Sequence, residues 1–133
     1  MIIGALGKDI IFQTSANYIN TFSDLKWDTK TNLQTIDRHL KNDLVEFCGM
    51  DLETISFKMT FNRLFGVDPL MSVAKLLSHQ RKGSVLMLTI GTHRYGQYRW
   101  IIESTSKSLE KFDRMGQAQI IEVDITLKEY AKR

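Results

Sequence analysis

The sequence predicts an α+β domain in which a mostly antiparallel β-sheet, open or closed into a sandwich or barrel, carries one amphipathic helix. Three observations lead to this class. The last third reads as a long hairpin whose second strand, Gln117–Lys128, alternates apolar and polar residues. The segment Leu52–Asn62 alternates in the same way. The segment Pro69–Lys82 has the helical period instead.

Four strands are predicted before the helix. Ile10–Thr14 is a short apolar run, and Leu25–Asp37 alternates throughout and is rich in Thr and Trp, which favour strands. Leu44–Cys48 and Leu52–Asn62 follow. In the last of these, one face consists of Glu53, Ile55, Phe57, Met59 and Phe61.

The helix is predicted to span Pro69–Lys82. Asp68 is a suitable N-cap and proline is favoured at the first helical position. At the other end, Arg81 and Lys82 suit the negative pole of the helix dipole, and Gly83 suits the cap. The side expected to pack inward consists of Leu70, Val73, Ala74 and Leu77.

The chain is predicted to return to strand after the helix. Ser84–Ile90 is a strand and Gly91–Gly96 a turn, and the long hairpin then pairs Gln97–Phe112 with Gln117–Lys128. The hairpin turn is Asp113–Gly116. The prediction therefore contains six or seven strands and one helix.

Size and composition point to one soluble domain over residues 1–133. Charged residues make up 25% of the chain and hydrophobic residues 43%, which is ordinary for a globular protein. The net charge of +3 is mild for a nucleic-acid-binding protein. The single cysteine, Cys48, excludes an internal disulfide, and no secretory signal or membrane-spanning run is recognisable. We therefore expect an intracellular product.

No motif predicts a catalytic residue, a cofactor or a metal site. Gly4 and Gly7 do not satisfy the phosphate-loop pattern and are interpreted as residues of an N-terminal turn. The three histidines and Cys48 lack the spacing of metal ligands. Cys48 lies in a strand pattern, where a small core or sheet residue is expected rather than a nucleophile.

Nucleic-acid binding has one candidate segment, His93–Trp100, in which basic and aromatic residues interleave. Bases stack on aromatic rings while arginine meets phosphate, so a single-stranded nucleic-acid module using Arg94, Tyr95, Arg99 and Trp100 is an alternative function. However, Tyr98 and Trp100 alternate as strand core residues do. We therefore consider nucleic acid an improbable partner.

Several segments together resemble one family, tail protein U (GpU) of contractile-tailed phages and phage-tail-like bacteriocins. The resemblance extends over essentially the whole chain, in order and spacing. It departs from the family pattern at Lys30–Lys41, which is richer in polar and charged residues. The segments that carry it are Ile3–Gly7, Asp9–Phe12, Thr21–Leu25, Leu52–Phe57, Leu64–Pro69, Leu88–Gly91, Tyr95–Gly96, Trp100–Ser104, Phe112–Gly116 and Thr126–Tyr130.

The resemblance implies a structural tail protein without catalytic residues, made in the host cytoplasm and built into the virion tail. It implies a baseplate or tube-end assembly protein that contacts the tail tube, the central hub, a LysM-type tail protein and the sheath or sheath initiator. It also implies a homo-oligomeric ring and no membrane partner. A terminator at the head-proximal end of the tail is the alternative position.

The contact surface is expected on three exposed segments, because strand edges and turns can add to neighbouring β-structure. These segments are the Leu25–Asp37 ribbon, the Gly91–Gly96 turn and the Asp113–Gly116 tip. The candidate interface residues are Trp27, Thr29, Thr31, His93, Arg94, Tyr95, Asp113, Arg114 and Met115.

Overall fold

A computed structural model describes residues 2–7, 10–14, 19–20 and 22–130 of the chain. These residues form ten strands, a short 3-10 helix (Arg63–Phe65) and one α-helix, α1 (Pro69–Lys82). The α+β class with a mostly antiparallel sheet and one helix is confirmed. The strands are β1 (Ile2–Leu6), β2 (Ile10–Thr14), β3 (Ile19–Asn20), β4 (Phe22–Asp28), β5 (Thr31–Ile36), β6 (Leu44–Met50), β7 (Thr54–Asn62), β8 (Val85–Ile90), β9 (His93–Phe112) and β10 (Ala118–Tyr130).

Eight strands form one antiparallel sheet in the order β3-β2-β1-β8-β9-β10-β7-β4, and β5 and β6 form a separate two-stranded sheet. The large sheet curls into a half-barrel. Phe12 on β2 lies 5.1 Å from Phe22 on β4 and 5.8 Å from Phe57 on β7, measured between ring centroids. Because β2 and β4 lie near opposite ends of the strand order, these edge-to-face contacts require the sheet to curve back on itself.

The core lies on the inner face of this curved sheet. Alternate residues of the central strands are buried there, as the period of two predicts for β7 and β10. The largest buried side chains include Trp100, Phe12, Phe61, Leu6, Ile55, Met59, Leu76 and Leu88.

The helix begins and ends where the sequence predicts. The Asp68 carboxylate accepts a hydrogen bond from the Met71 N–H (3.4 Å), and Gly83 closes the helix with a left-handed backbone. The prediction of the buried side was partly wrong: Val73 is buried and Leu77 is half-buried against the core, but Leu70 and Ala74 are exposed. Pro69 and Leu76 are also buried. The helix is rolled relative to the expected stripe, and Leu70 is left on the surface.

A large bulge in β9 positions the central tryptophan of the core. Leu86 pairs with Trp100 and Leu88 with Tyr95, so four residues of β9 oppose the single residue Met87 of β8. Gly96 has φ +88, and a Cβ there would overlap the Trp100 indole. The Trp100 Nε1–H donates to the Tyr95 carbonyl oxygen (2.8 Å), so this buried donor is satisfied across the bulge.

Three other predictions need correction. The segment Leu25–Asp37 is two strands in different sheets, because the chain leaves the large sheet after Asp28 and enters the small one at Thr31. The predicted turn Gly91–Gly96 is shorter, since β9 already begins at His93. The described residues form ten strands rather than the predicted six or seven.

Strand β1 was the least visible element in the sequence. Gly7 does form a turn with φ +72, but Gly4 lies within β1 and pairs with Ile90 of β8. A Cβ at position 4 would overlap the Thr89 carbonyl oxygen. Gly4 therefore allows two strands to approach closely, which is a different role from the predicted turn.

Candidate interaction surface

The two-stranded sheet of β5 and β6, residues 31–50, is named here the arm. Every residue of the arm is exposed except Gly49, which is half-buried. The two strands pair with each other in antiparallel register, and the Asp51 N–H donates to the Lys30 carbonyl oxygen (2.9 Å) at the base. The arm therefore lies outside the core that holds the rest of the chain together.

The arm has one apolar and one polar face. Leu33 is paired with Phe47 and Thr35 with Val45, whereas Gln34 is paired with Glu46 on the opposite face. The apolar side chains stand largely in solvent, with exposed fractions of 56% for Leu33 and 67% for Phe47. An apolar strand face that is not covered is typical of a site of protein contact.

A stacked aromatic pair marks the base of the arm. The rings of Trp27 and Tyr95 lie 5.7 Å apart, with 19° between their planes. The Trp27 Nε1–H donates to the Glu53 carboxylate (3.0 Å). These contacts join the end of β4 to the start of β9 and hold the segment from which the arm leaves the large sheet.

A buried carboxyl group lies next to this base. Glu129 is 7% exposed, and its backbone N–H donates to the Glu53 carbonyl oxygen (2.9 Å). Burial and the nearby Glu53 carboxylate raise the pKa of Glu129 above its ordinary value. The folded chain therefore holds a proton on Glu129 more tightly than a free glutamate does.

The turn between β9 and β10, residues 113–117, is named here the tip. The Asp113 carboxylate accepts from the N–H groups of Met115 (2.8 Å) and Gln117 (2.9 Å), which fixes the turn. Gly116 supplies the left-handed backbone with φ +83. The Met115 side chain is 88% exposed at the outermost point of the turn.

The longest strand has an open edge beside the tip. Pairing between β8 and β9 ends at Ile101, so residues 102–112 of β9 pair only with β10 among the described residues. Helix α1 contacts this part of the sheet through its inner face, where the Thr105 hydroxyl donates to the Gln80 side-chain oxygen (2.9 Å). The outward backbone groups of the edge are available for a further strand.

The exposed large hydrophobic side chains of the described residues fall into two groups at opposite ends of the large sheet. One group lies on the arm and around its base. The other surrounds the tip and the start of α1. The arm group is Trp27, Leu33, Ile36, Leu40, Leu44, Val45, Phe47, Met50, Leu52, Tyr98 and Tyr130, and the tip group is Leu64, Leu70, Met71, Leu109, Phe112 and Met115.

The Phage P2 GpU family model matches residues 9–132, which is almost the entire chain. The chain belongs to this family. It is therefore a structural component of a phage tail. No curated protein matches the chain. The resemblance that the sequence segments predicted is confirmed.

The family to which the chain belongs bears on whether the chain catalyses a reaction. The family is generally non-enzymatic. Within residues 2–7, 10–14, 19–20 and 22–130, no three His, Cys, Asp or Glu residues are grouped to hold a metal ion. Cys48 is exposed on the arm and is not a core residue. In the same ranges, no helix is long and apolar enough to cross a membrane.

The candidate interface residues lie in two separate places. Trp27, Thr29 and Thr31 lie at the base of the arm, and Trp27 stacks on Tyr95, which follows His93 and Arg94 at the start of β9. The other three, Asp113, Arg114 and Met115, lie on the tip at the opposite end of the sheet. Their role in binding stays a prediction.

Sequence reasoning missed the apolar face of the arm. Val45 and Phe47 alternate with Glu46 as the buried residues of an ordinary strand do, and that pattern carries no signal for exposure. The nucleic-acid alternative also loses its main stacking residue. Trp100 is fully buried and its indole N–H is bonded to Tyr95, so it presents no ring to a base.

Proposed function

We propose that this GpU-family protein is a baseplate or tube-end assembly protein of a contractile tail. It is made in the host cytoplasm and joins the tail tube to the central hub and a LysM-type tail protein, near the sheath or its initiator. In the particle it forms a homo-oligomeric ring. The baseplate end is favoured by the resemblance to the tail-like bacteriocin version of the family.

The observation that supports this role best is the separation of two exposed apolar surfaces, one on the arm and one around the tip. The nine residues of β7 span the sheet between them, roughly 30 Å at about 3.3 Å per residue. A protein with two distant contact surfaces can join two neighbours at once. A protein that binds one small ligand has no need of such an arrangement.

A second observation concerns the face of the sheet that lies between the two apolar surfaces. The outer face of the sheet is polar and regular, with Ser56, Lys58 and Thr60 of β7 alternating with buried residues. Lys58 forms an ion pair with Glu122 of the next strand (3.7 Å), and both side chains remain partly exposed. Such a polar face keeps the chain soluble before assembly, while the two apolar surfaces remain exposed for binding to partners.

Immunogold or tagged-subunit electron microscopy on purified tail particles tests the proposal. We expect label at the end of the tail distal to the head. Label at the head-proximal end would assign a terminator that stops tube growth, and would overturn the baseplate position while keeping the tail role. Purified particles without label, from cells that express the chain, would overturn incorporation altogether. Untagged particles treated in the same way are the control.

A further inference from the structure

We propose that the arm of one copy of this chain docks on the tip end of a second copy, where β6 adds as a new strand to the open edge of β9. The contact deepens the proposed function, because it is the joint between copies in a ring. The contact rests on the proposed function only for its location in the tail particle. The contact itself can also be tested on the purified chain.

The arm has the features of a sheet that lacks a further strand. Two strands form a sheet that is marginal in water by itself, and at least three strands or a packed face are needed for stability. The apolar face of the arm lies open, with Leu33, Val45, Phe47 and Met50 each more than half exposed. Both backbone edges of the arm are open among the described residues.

The edge of β9 at residues 102–112 supplies what the arm lacks. It offers eleven residues of backbone that pair on one side only. On the inner side of this edge, Leu109 is exposed, and Phe112 and Met115 follow beside the tip. Strand addition would let backbone hydrogen bonds supply affinity while the apolar side chains determine the register.

Charge favours β6 over β5 as the strand that pairs, because β5 carries no charged residue. Residues 42–51, which include β6, contain three acidic residues and no basic one: Asp43, Glu46 and Asp51. The edge at residues 102–112 carries equal numbers of lysines and glutamates, but at its tip end Lys107 and Lys111 are followed by Arg114, so residues 107–114 contain three basic residues against two acidic ones. Opposite charges on neighbouring strands favour the pairing and steer the approach of the two surfaces.

The donor strand and the acceptor edge lie at opposite ends of the large sheet, so the arm does not reach the edge of its own chain. The occupant is therefore a second copy. The arm leaves after Asp28, which pairs with Thr54 at the start of β7, whereas the tip lies beyond Asn62 at its end. When the contact is not reciprocated between the same two copies, it leaves one donor and one acceptor free in every pair. It therefore propagates to a ring or a filament rather than stopping at a dimer.

The faces of the new sheet follow from the two apolar surfaces. The inner face of β9 carries Thr105 and Lys107. If the apolar face of the arm continues this inner face, the polar face of the arm must continue the outer face of β9. Cys48 lies on the polar face of the arm, with its Sγ 3.9 Å from the Gln34 side-chain oxygen. It would therefore lie beside the outer-face residues of β9, which are Ser104, Ser106 and Ser108.

Disulfide cross-linking through the native Cys48 tests this arrangement. The single variants Ser104→Cys, Ser106→Cys and Ser108→Cys would be oxidised mildly, both as purified full-length chain and in assembled particles. A disulfide needs Cα atoms within about 7 Å, so only adjacent strands can react. We expect at least one outer-face variant to give a ladder of covalent dimers, trimers and larger species on a non-reducing gel.

Matched controls make the result specific. Thr105→Cys places a thiol on the same strand but on its inner face, without removing a charge, and we expect little cross-linking from it. Adding Cys48→Ser to the reactive variant should abolish the ladder.

Three results would overturn the proposal. One is the absence of a ladder from all three outer-face variants, in the purified chain and in particles. Another is reaction of the inner-face thiol of Thr105→Cys to the same extent as the outer-face thiols. The third is a Cys48-to-Cys48 dimer of the unmodified chain, because that product requires two arms to pair with each other. Label at the tail without a ladder would leave the proposed function intact and remove only this contact.

Discussion

Replacing Phe47 of the arm should weaken assembly while leaving the fold almost unchanged. Phe57, which is 2% exposed in the core, is the matched control, because Phe47 is 67% exposed on the same kind of secondary structure. Phe57→Ala removes a fully packed ring and should lower the free energy of unfolding by about 3–5 kcal/mol. Phe47→Ala removes mainly its contact with Leu33 across the arm and should lower it by less than about 1 kcal/mol.

For assembly, in contrast to folding, Phe47→Ala should have a larger effect than Phe57→Ala. Complete burial of a phenylalanine side chain is worth about 1.5–3 kcal/mol. Two thirds of the Phe47 surface is still available for burial, so a contact that covers it loses about 1–2 kcal/mol in the alanine variant. That loss corresponds to roughly 5- to 30-fold weaker association. Gln34→Ala, on the polar face of the same arm, should change association much less.

Denaturant unfolding measures the first quantity, and sedimentation equilibrium or incorporation into particles measures the second. If Phe47→Ala destabilised the isolated chain as much as Phe57→Ala, the arm would be part of the core and the reasoning would be refuted. Unchanged association in Phe47→Ala would refute the assignment of the apolar face to an interface.

Two further predictions concern the fold around the base of the arm. Gly96→Ala should destabilise the chain by about 1–3 kcal/mol, because φ is +88 and a Cβ there overlaps the Trp100 ring. Gly116→Ala is the control: its φ is +83 but the space around it is open, so it should cost only about 1 kcal/mol in the same denaturant-unfolding experiment. Equal losses of unfolding free energy in the two variants would count against the role of the Trp100 ring. Because Glu129 binds its proton more tightly when folded, its contribution to stability is complete at low pH and is lost as pH rises through its raised pKa. Glu129→Gln should therefore flatten the dependence of unfolding free energy on pH across the mildly acidic range. An unchanged slope would show that Glu53 and burial do not act on this carboxyl as described.

The elements with one clearly buried face were predictable from the sequence. Strand β7 alternates apolar and polar residues because one side packs in the core and the other meets solvent, and the helix has matching caps at both ends. The split of Leu25–Asp37 was not predictable. Both halves are strands, and no glycine or proline marks Thr29 and Lys30 as the place where the chain changes sheets. Strand β1 was hidden because a glycine interrupts its short apolar run.

The side of α1 that is buried was also not predictable from the sequence, and the residues left exposed contribute to the apolar surface around the tip. Apolar residues occupy more than one side of α1, so periodicity predicts an amphipathic helix without deciding which stripe is buried. The core takes Val73 and Leu76, and Leu70 and Met71 remain exposed beside the tip. The apolar residues that the core leaves uncovered are therefore gathered at a surface rather than scattered.

Charged side chains on the exposed edge of β9 explain how this edge and the apolar arm can remain soluble until assembly. An open strand invites uncontrolled pairing, and charged side chains on the edge oppose it. Residues 102–112 of β9 carry Lys107 and Lys111 together with Glu103 and Glu110, so a strand with no complementary charge gains little by pairing there. An arm whose second strand carries Glu46 can pair with Lys107 or Lys111, which a neutral strand cannot do. The edge charges thus restrict the partner as well as protecting the free chain, and exchanging Lys107 and Lys111 for glutamate should slow assembly more than it changes folding.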